Sequence, residues 1–362
     1  MLKAALIAVG LGIVGLIFSF WLLGENLSTA WTVPTWAYAA GLGLAAVGYA
    51  AGALRLVILA RRAGENLGFI PALRAYAVGL LMAALTPGSA GQAPAVALSL
   101  VRGGMSAATA WTINVRVWIL DLVFLAWSLP LSILVLGRAT RLLSGAKPEL
   151  IAGAVFLGAG LMVALLLFRL RWLISAAAWL TKLPGIRRWR ARLQEFLERL
   201  NVTSANLKPA PWYHHVLLHL TSFTVYFTTY FTFFVVVVAM RPATTPLVAM
   251  ASAQVPTVAS SLFPTPGGTG LLEVGTASLM RLNSPSAGRV DMPIAPAEPS
   301  TNAEGFGGAV GAAGLVAATD DAKKAEAGVA AAILAWRLLT YYLRMAVGAL
   351  VGGALLRSRR DS

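Results

Sequence analysis

The hexapeptide Thr-Pro-Gly-x-x-Gly occurs twice, at Thr86–Gly91 and at Thr265–Gly270, and each copy interrupts an apolar stretch that would otherwise run on as one helix. Proline removes a backbone donor and clashes with the preceding turn, while glycine admits dihedrals that other residues avoid. Hydrophobic residues make up 58% of the chain and charged residues 12%, with a mean hydropathy of +0.75. Soluble domains carry about 25% charge, so the composition is that of an integral membrane protein. At membrane depth, irregular backbone persists only where it is buried in protein or lines a polar cavity. Two breaks, one in each half, are the pattern expected of a transporter built from repeats around a central site.

Long apolar runs separated by basic loops predict an all-α polytopic protein rather than a barrel, whose strands would alternate. Six full spans are expected, at Ala4–Leu23, Ala37–Ala60, Ala107–Leu136, Ile151–Phe168, Trp212–Met240 and Ala327–Leu356. Between them lie two broken segments, Pro71–Val101 and Pro246–Leu282. The apolar arm before the first break, Tyr76–Leu85, falls short of the roughly 20 residues needed to cross, which predicts a re-entrant hairpin. With both broken segments dipping in and returning, 17 basic residues face the cytoplasm and eight face out. With both crossing fully, the basic loop from Arg169 to Lys208 would lie outside, against the positive-inside rule. The hairpins then enter from opposite faces, each half reads span, hairpin, span, and the second half is inverted. The expected location is the cytoplasmic membrane, with both termini cytoplasmic.

The remaining segments narrow the function. A formal charge of +15 matches lipid phosphate and cytoplasmic loop bias in a chain this apolar, and nucleic acid is not an expected partner. There is no cysteine, hence no disulfide or thiolate chemistry. His214, His215 and His219 are the only histidines; His215 and His219 have helical ligand spacing, but no carboxylate pattern accompanies them. No metal site, cofactor or catalytic residue is assigned, and the chain is not expected to be an enzyme. Residues 186–200 place Ile186, Trp189, Leu193, Phe196, Leu197 and Leu200 at helical spacing among arginines and glutamates, an amphipathic helix expected on the cytoplasmic leaflet. Residues 283–325, rich in Ala, Gly, Pro and Ser, read as a flexible external insert in a single 1–362 transmembrane domain.

After each break a helix should restart at about Gly91 and Gly270, where unpaired N–H groups and the helix dipole favour an anion such as a phosphate. Gly88, Gly91 and Gln92 from the first loop and Gly267, Gly268 and Gly270 from the second are therefore candidate head-group ligands, with Thr269 as a further donor. Charges inside spans add Arg55, Arg116, Arg337 and Arg344 against Asp121 and Glu273. Intramembrane charges are costly and usually face an interior cavity. Arg55 is read as snorkelling toward the interface near Arg61. Arg116 stands between that role and the site. Glu273 is expected to cap its helix or to pair with Arg337, with proton coupling as the other role, and Arg344 is expected to face substrate.

At these motifs the chain resembles the lysylphosphatidylglycerol synthase transmembrane, or flippase-like, family. The first block is Thr86-Pro-Gly-Ser-Ala-Gly-Gln-Ala-Pro94 followed by Leu100-Val-Arg-Gly-Gly-Met-Ser106; the second is Phe263-Pro-Thr-Pro-Gly-Gly-Thr-Gly-Leu-Leu-Glu273; the third is Trp336-Arg-Leu-Leu-Thr-Tyr-Tyr342. The second block is similar to the family's Pro-x-Pro-Gly-Gly-x-Gly-x-x-Glu, and the third looks like its late Tyr-Arg-Leu-x-x-Tyr-Tyr. Ala90 stands where the family usually has a glycine, Val115-Arg116 with a displaced Asp121 replaces its Glu-Arg-x-x-Asp, and residues 283–325 replace a short loop. The family's lipid aminoacylation belongs to a soluble domain, which is not expected after Arg360. The resemblance implies movement or presentation of a lipid with an anionic or zwitterionic head. The alternative is a non-transporting membrane partner of a lipid-modifying or glycosyl-transfer enzyme, and a homo-oligomer is compatible with both.

Overall fold

The computed structural model describes residues 14, 17, 27–139, 147–168, 211–261, 263, 265, 267–283 and 327–357. It is an all-α polytopic membrane protein, with no strand among the described residues. After a single helical turn at Leu27–Ala30, the helices in chain order are α1 (Thr35–Arg62), α2 (Phe69–Leu85), α3 (Gln92–Arg102), α4 (Ala107–Ala139), α5 (Pro148–Phe168), α6 (Trp212–Met240), α7 (Pro246–Ser260) and α8 (Leu271–Leu282). The last helix, α9, spans Ala327–Gly352 and continues to Arg357. Prolines mark several starts: Pro34 and Pro211 immediately precede α1 and α6, and Pro148 and Pro246 occupy first positions, where the missing N–H costs nothing. Arginines in the last turns of α1 and α3 complement the helix dipole.

Among the described residues four helices are long and apolar enough to cross a membrane: α1, α4, α6 and α9. The helix at Pro148–Phe168 has 21 residues and coincides with the predicted fourth span. The predicted first span, Ala4–Leu23, lies outside the described residues except at positions 14 and 17, as do residues 186–200 and nearly all of 283–325.

Both broken segments are helical hairpins. In the first, Gly79 of α2 packs against Val96 and Gln92 of α3; in the second, Gly275 of α8 packs against Pro256 of α7. Helix α2 has 17 residues, longer than the arm expected from Tyr76, because the helix begins at Phe69 and accommodates Pro71 in its first turn. At 1.5 Å per residue even α2 is only about 26 Å long, and α3, α7 and α8 are shorter, against a hydrocarbon core of roughly 30 Å.

Their directions follow from the packing of α1 on α6. Gly41 lies against Thr232, Gly48 against Thr228, and Arg55 reaches Ser222, so the two helices run antiparallel. Small residues at this seam let the backbones approach closely. The first hairpin leaves from the end of α1 and the second from the end of α6, so they insert from opposite ends of the molecule. Each is surrounded by its own apolar cluster. Leu56, Tyr76, Val96 and Ile113 belong to the cluster around the first hairpin, and Phe233, Leu272, Met280 and Trp336 to that around the second.

Candidate functional site

The two loops are stabilised by different chemistry. In the first, the Thr86 hydroxyl donates to the Met82 carbonyl at 2.6 Å and accepts from the Gly91 N–H at 2.8 Å. The loop thus closes on itself without a charge. In the second, Glu273 is fully buried and accepts from the Gly270 N–H at 2.8 Å. Arg337 of α9 lies 2.9 Å from the Glu273 carboxylate and donates to the Gly267 carbonyl and the Thr269 hydroxyl, both at 3.1 Å. The second break is therefore pinned to another helix by a buried ion pair.

The loops meet. A β-carbon on Gly88 would lie 2.9 Å from the Ser261 carbonyl oxygen, so the tip of one hairpin touches the end of α7 in the other. Tyr341 bridges them: its hydroxyl donates to the Ala84 carbonyl at 2.9 Å, and its ring covers Gly267 so closely that a β-carbon there would sit 2.0 Å away. The Arg337 guanidinium stacks 4.2 Å from the centre of the same ring. Both Gly88 and Gly267 also have positive φ, at 57° and 59°. At these two positions, backbone conformation and close approach both require glycine.

Between the tips lies a cavity of about 310 Å³, lined by Gly88, Ser89 and Gln92 from the first loop and by Ser261, Gly267 and Gly268 from the second. Arg337, Tyr341 and Arg344 of α9 form another wall. Residues Leu338–Tyr342 form a π-turn, which separates the Arg337 that braces the loop from the Arg344 that faces the cavity. Such turns are frequent at functional sites. Arg344 donates to the Thr229 hydroxyl of α6 at 2.7 Å, and the Thr229 carbonyl accepts from the Trp336 indole at 3.0 Å. Among the described residues no carboxylate lies within ion-pair distance of Arg344.

The predicted site residues thus separate. Gly88, Gln92, Gly267, Gly268, Arg337 and Arg344 line the cavity. Gly91 and Gly270 cap α3 and α8, but their own N–H groups are taken by Thr86 and Glu273, so neither is presented to an anion. Glu273 sits behind the wall, against Arg337. Arg116 is elsewhere, in a crevice with Leu59, Arg62, Thr112 and Ile113. The snorkelling expected of Arg55 is overturned. Its residue is 2% exposed and its guanidinium pairs with Asp121 of α4 and donates to Ser222 at 3.1 Å. A carboxylate on a neighbouring helix satisfies the charge more directly than a reach to the interface.

Three residues of the site had no forecast. Thr229 looks in sequence like one hydroxyl among many in α6. Ser261 falls just before the repeated hexapeptide. Tyr341 is part of a recognisable motif, but its bridging role depends on the π-turn.

Residues 4–289 match the family model described as Lysylphosphatidylglycerol synthase TM region. Comparison with curated proteins finds no match.

Proposed function

The chain belongs to the lysylphosphatidylglycerol synthase transmembrane family, and from that premise we propose that it is a lipid flippase or lipid-binding transporter. In this reading it moves an amphiphile with a phosphate-bearing head across the cytoplasmic membrane. One observation carries the reading. The cavity between the hairpin tips presents Arg344, a cation without a carboxylate partner among the described residues, beside Ser89, Gln92 and Ser261. The Arg337 charge is already balanced by Glu273, so the cavity is cationic through Arg344. A half-buried positive charge at membrane depth favours an anionic group, because the surroundings are less polarisable than water. The guanidinium fork also matches the geometry of phosphate oxygens. The head enters between the tips while the acyl chains stay in lipid. The role is binding and movement, with no catalytic residue assigned.

The test is scrambling of a fluorescent phosphatidylglycerol in vesicles holding the purified protein, read by quenching of the outer leaflet. Wild-type protein accelerates loss of fluorescence beyond the half accessible in empty vesicles. Arg344→Ala slows movement about tenfold or more, the loss expected when one charge-assisted contact to a buried anion disappears. Equal rates for wild type and Arg344→Ala would remove the assigned site. Wild-type protein that binds the lipid without moving it would instead support the partner role.

A further inference from the structure

On the other side of Arg344 lies a second, smaller cavity of about 20 Å³, lined by Tyr49 of α1, Tyr76 of α2, Thr228, Thr229 and Thr232 of α6 and Thr340 of α9. Arg344, Thr229 and Thr340 also line the central cavity, so the two spaces share a wall. The hydrogen bond from Arg344 to Thr229 joins two residues of that wall. The smaller space holds about one water-sized group.

Its polar groups are unevenly matched. The Tyr49 hydroxyl is buried and has no hydrogen-bond partner among the described residues. Its ring stands edge-on to that of Tyr76, with centroids 6.0 Å apart. The threonine protons are already committed. Thr228, Thr229, Thr232 and Thr340 each donate to a carbonyl of their own helix, at 2.8, 2.9, 2.6 and 2.7 Å. The cavity therefore combines one uncommitted O–H donor with hydroxyl oxygens that can only accept. Among the described residues no carboxylate lines either cavity.

An ammonium group cannot complete this set. It carries donors only, so the Tyr49 O–H stays without an acceptor, and it brings a second positive charge beside Arg344 with no side chain to balance it. An alcohol hydroxyl can accept from Tyr49 and donate to a threonine at once, and it matches the size of the space.

We propose that the smaller cavity reads the alcohol carried by the head-group phosphate. With the phosphate on Arg344, a head-group hydroxyl enters the cavity and bonds to Tyr49, so polyol heads are selected over amine-bearing ones. This specificity rests on the reading of Arg344 as the phosphate ligand, with Tyr49 as the residue that sets it.

Native mass spectrometry of the purified full-length chain in detergent tests it with three phospholipids of identical acyl chains. They are phosphatidylglycerol, phosphatidylethanolamine and phosphatidylpropanol, whose head has the charge and length of the glycerol head but no hydroxyl. Wild-type protein should retain phosphatidylglycerol about tenfold more than either of the others. Tyr49→Phe keeps the ring and removes the hydroxyl, and should bring the ratio of phosphatidylglycerol to phosphatidylpropanol to about one. Ala45→Val narrows the same cavity from α1 and should also erase the preference, so the test survives a failure of either variant to fold. Equal retention of phosphatidylglycerol and either other lipid by wild type would overturn the specificity. So would a preference that persists in both variants, which would make the cavity's occupant a water only. Arg344→Ala should weaken phosphatidylglycerol and phosphatidylpropanol alike; undiminished retention of both would instead remove the phosphate reading underneath.

Discussion

The two hairpins carry the same hexapeptide and restart their helices directly after its last glycine, yet they are held in different ways. The first closes on its own threonine, which reaches back to Met82 in the last turn of α2 and forward to Gly91, with Tyr341 of α9 adding a neutral hydrogen bond to Ala84. The second depends on a distant helix, through Arg337 of α9 on Glu273, Gly267 and Thr269. The threonines that open the motifs show the divergence directly. Thr86 makes two hydrogen bonds through its hydroxyl, whereas the Thr265 hydroxyl is buried and has no partner among the described residues. The motif therefore marks where the outgoing helix restarts but not what stabilises the break.

The sharpest way to break this contrast is to remove a charge from the second loop. Arg337→Met strands Glu273 as a buried carboxylate, and loss of one partner of a buried pair costs about 3–5 kcal/mol. Chemical denaturation in mild detergent should show a loss of that size for Arg337→Met and for Glu273→Gln. The double variant should cost less than the two losses added together, because the pair acts as one unit. Additive losses would mean that the ion pair is not what holds the loop.

Next in size are the tip glycines. Gly88→Ala and Gly267→Ala each force a side chain into a positive-φ conformation, at a cost of about 1–3 kcal/mol before any clash. The obstacles differ: a backbone carbonyl of Ser261 at the first and the Tyr341 ring at the second. A Tyr341→Ala background should therefore relieve part of the Gly267→Ala loss and none of the Gly88→Ala loss, which the same denaturation measurement reads. Equal relief at both positions would show that the tips are not packed as described.

The smallest effects separate the threonines. Thr86→Val removes both hydrogen bonds and leaves the Gly91 N–H without its acceptor, for a loss of about 1–2 kcal/mol. Thr265→Val removes a hydroxyl that bonds to nothing described and should fall within about 0.5 kcal/mol of wild type. A midpoint shift of the same size for both would erase the distinction between the loops.

Much of this architecture was legible in the sequence because it rests on local rules. Proline and glycine inside apolar runs announce breaks, and the spans at Trp212–Met240 and Ala107–Leu136 are fixed by length and hydropathy alone. The partners of the charged residues were not equally legible. Arg55 and Asp121 are 66 positions apart, and no periodicity links them. The Glu273–Arg337 pair was among the expected readings because Glu273 opens a helix beside the second break, which left few roles for it. The Gly91 and Gly270 N–H groups were expected to be open to an anion, and each already has an acceptor for a related reason. Sequence identifies an orphan N–H, but not the side chain that satisfies it, and here Thr86 and Glu273 do so from within the same motif. Arg116 shows the limit most clearly, since apolar neighbours on both sides gave no sign that it faces Arg62 rather than the cavity.

The two hairpin tips, inserted from opposite ends, touch across one cavity. The chain has no cysteine, so a pair introduced at Ser89 and Ser261 is the only pair present. Both positions line the cavity, and the neighbouring Gly88 lies against Ser261. In native membranes, Ser89→Cys/Ser261→Cys treated with a short thiol cross-linker and then cut at a protease site introduced between residues 169 and 208 should keep its two halves joined on a denaturing gel. Neither single variant should do so. Halves that separate in the double variant as readily as in the singles, with both thiols shown to be reactive, would contradict the account.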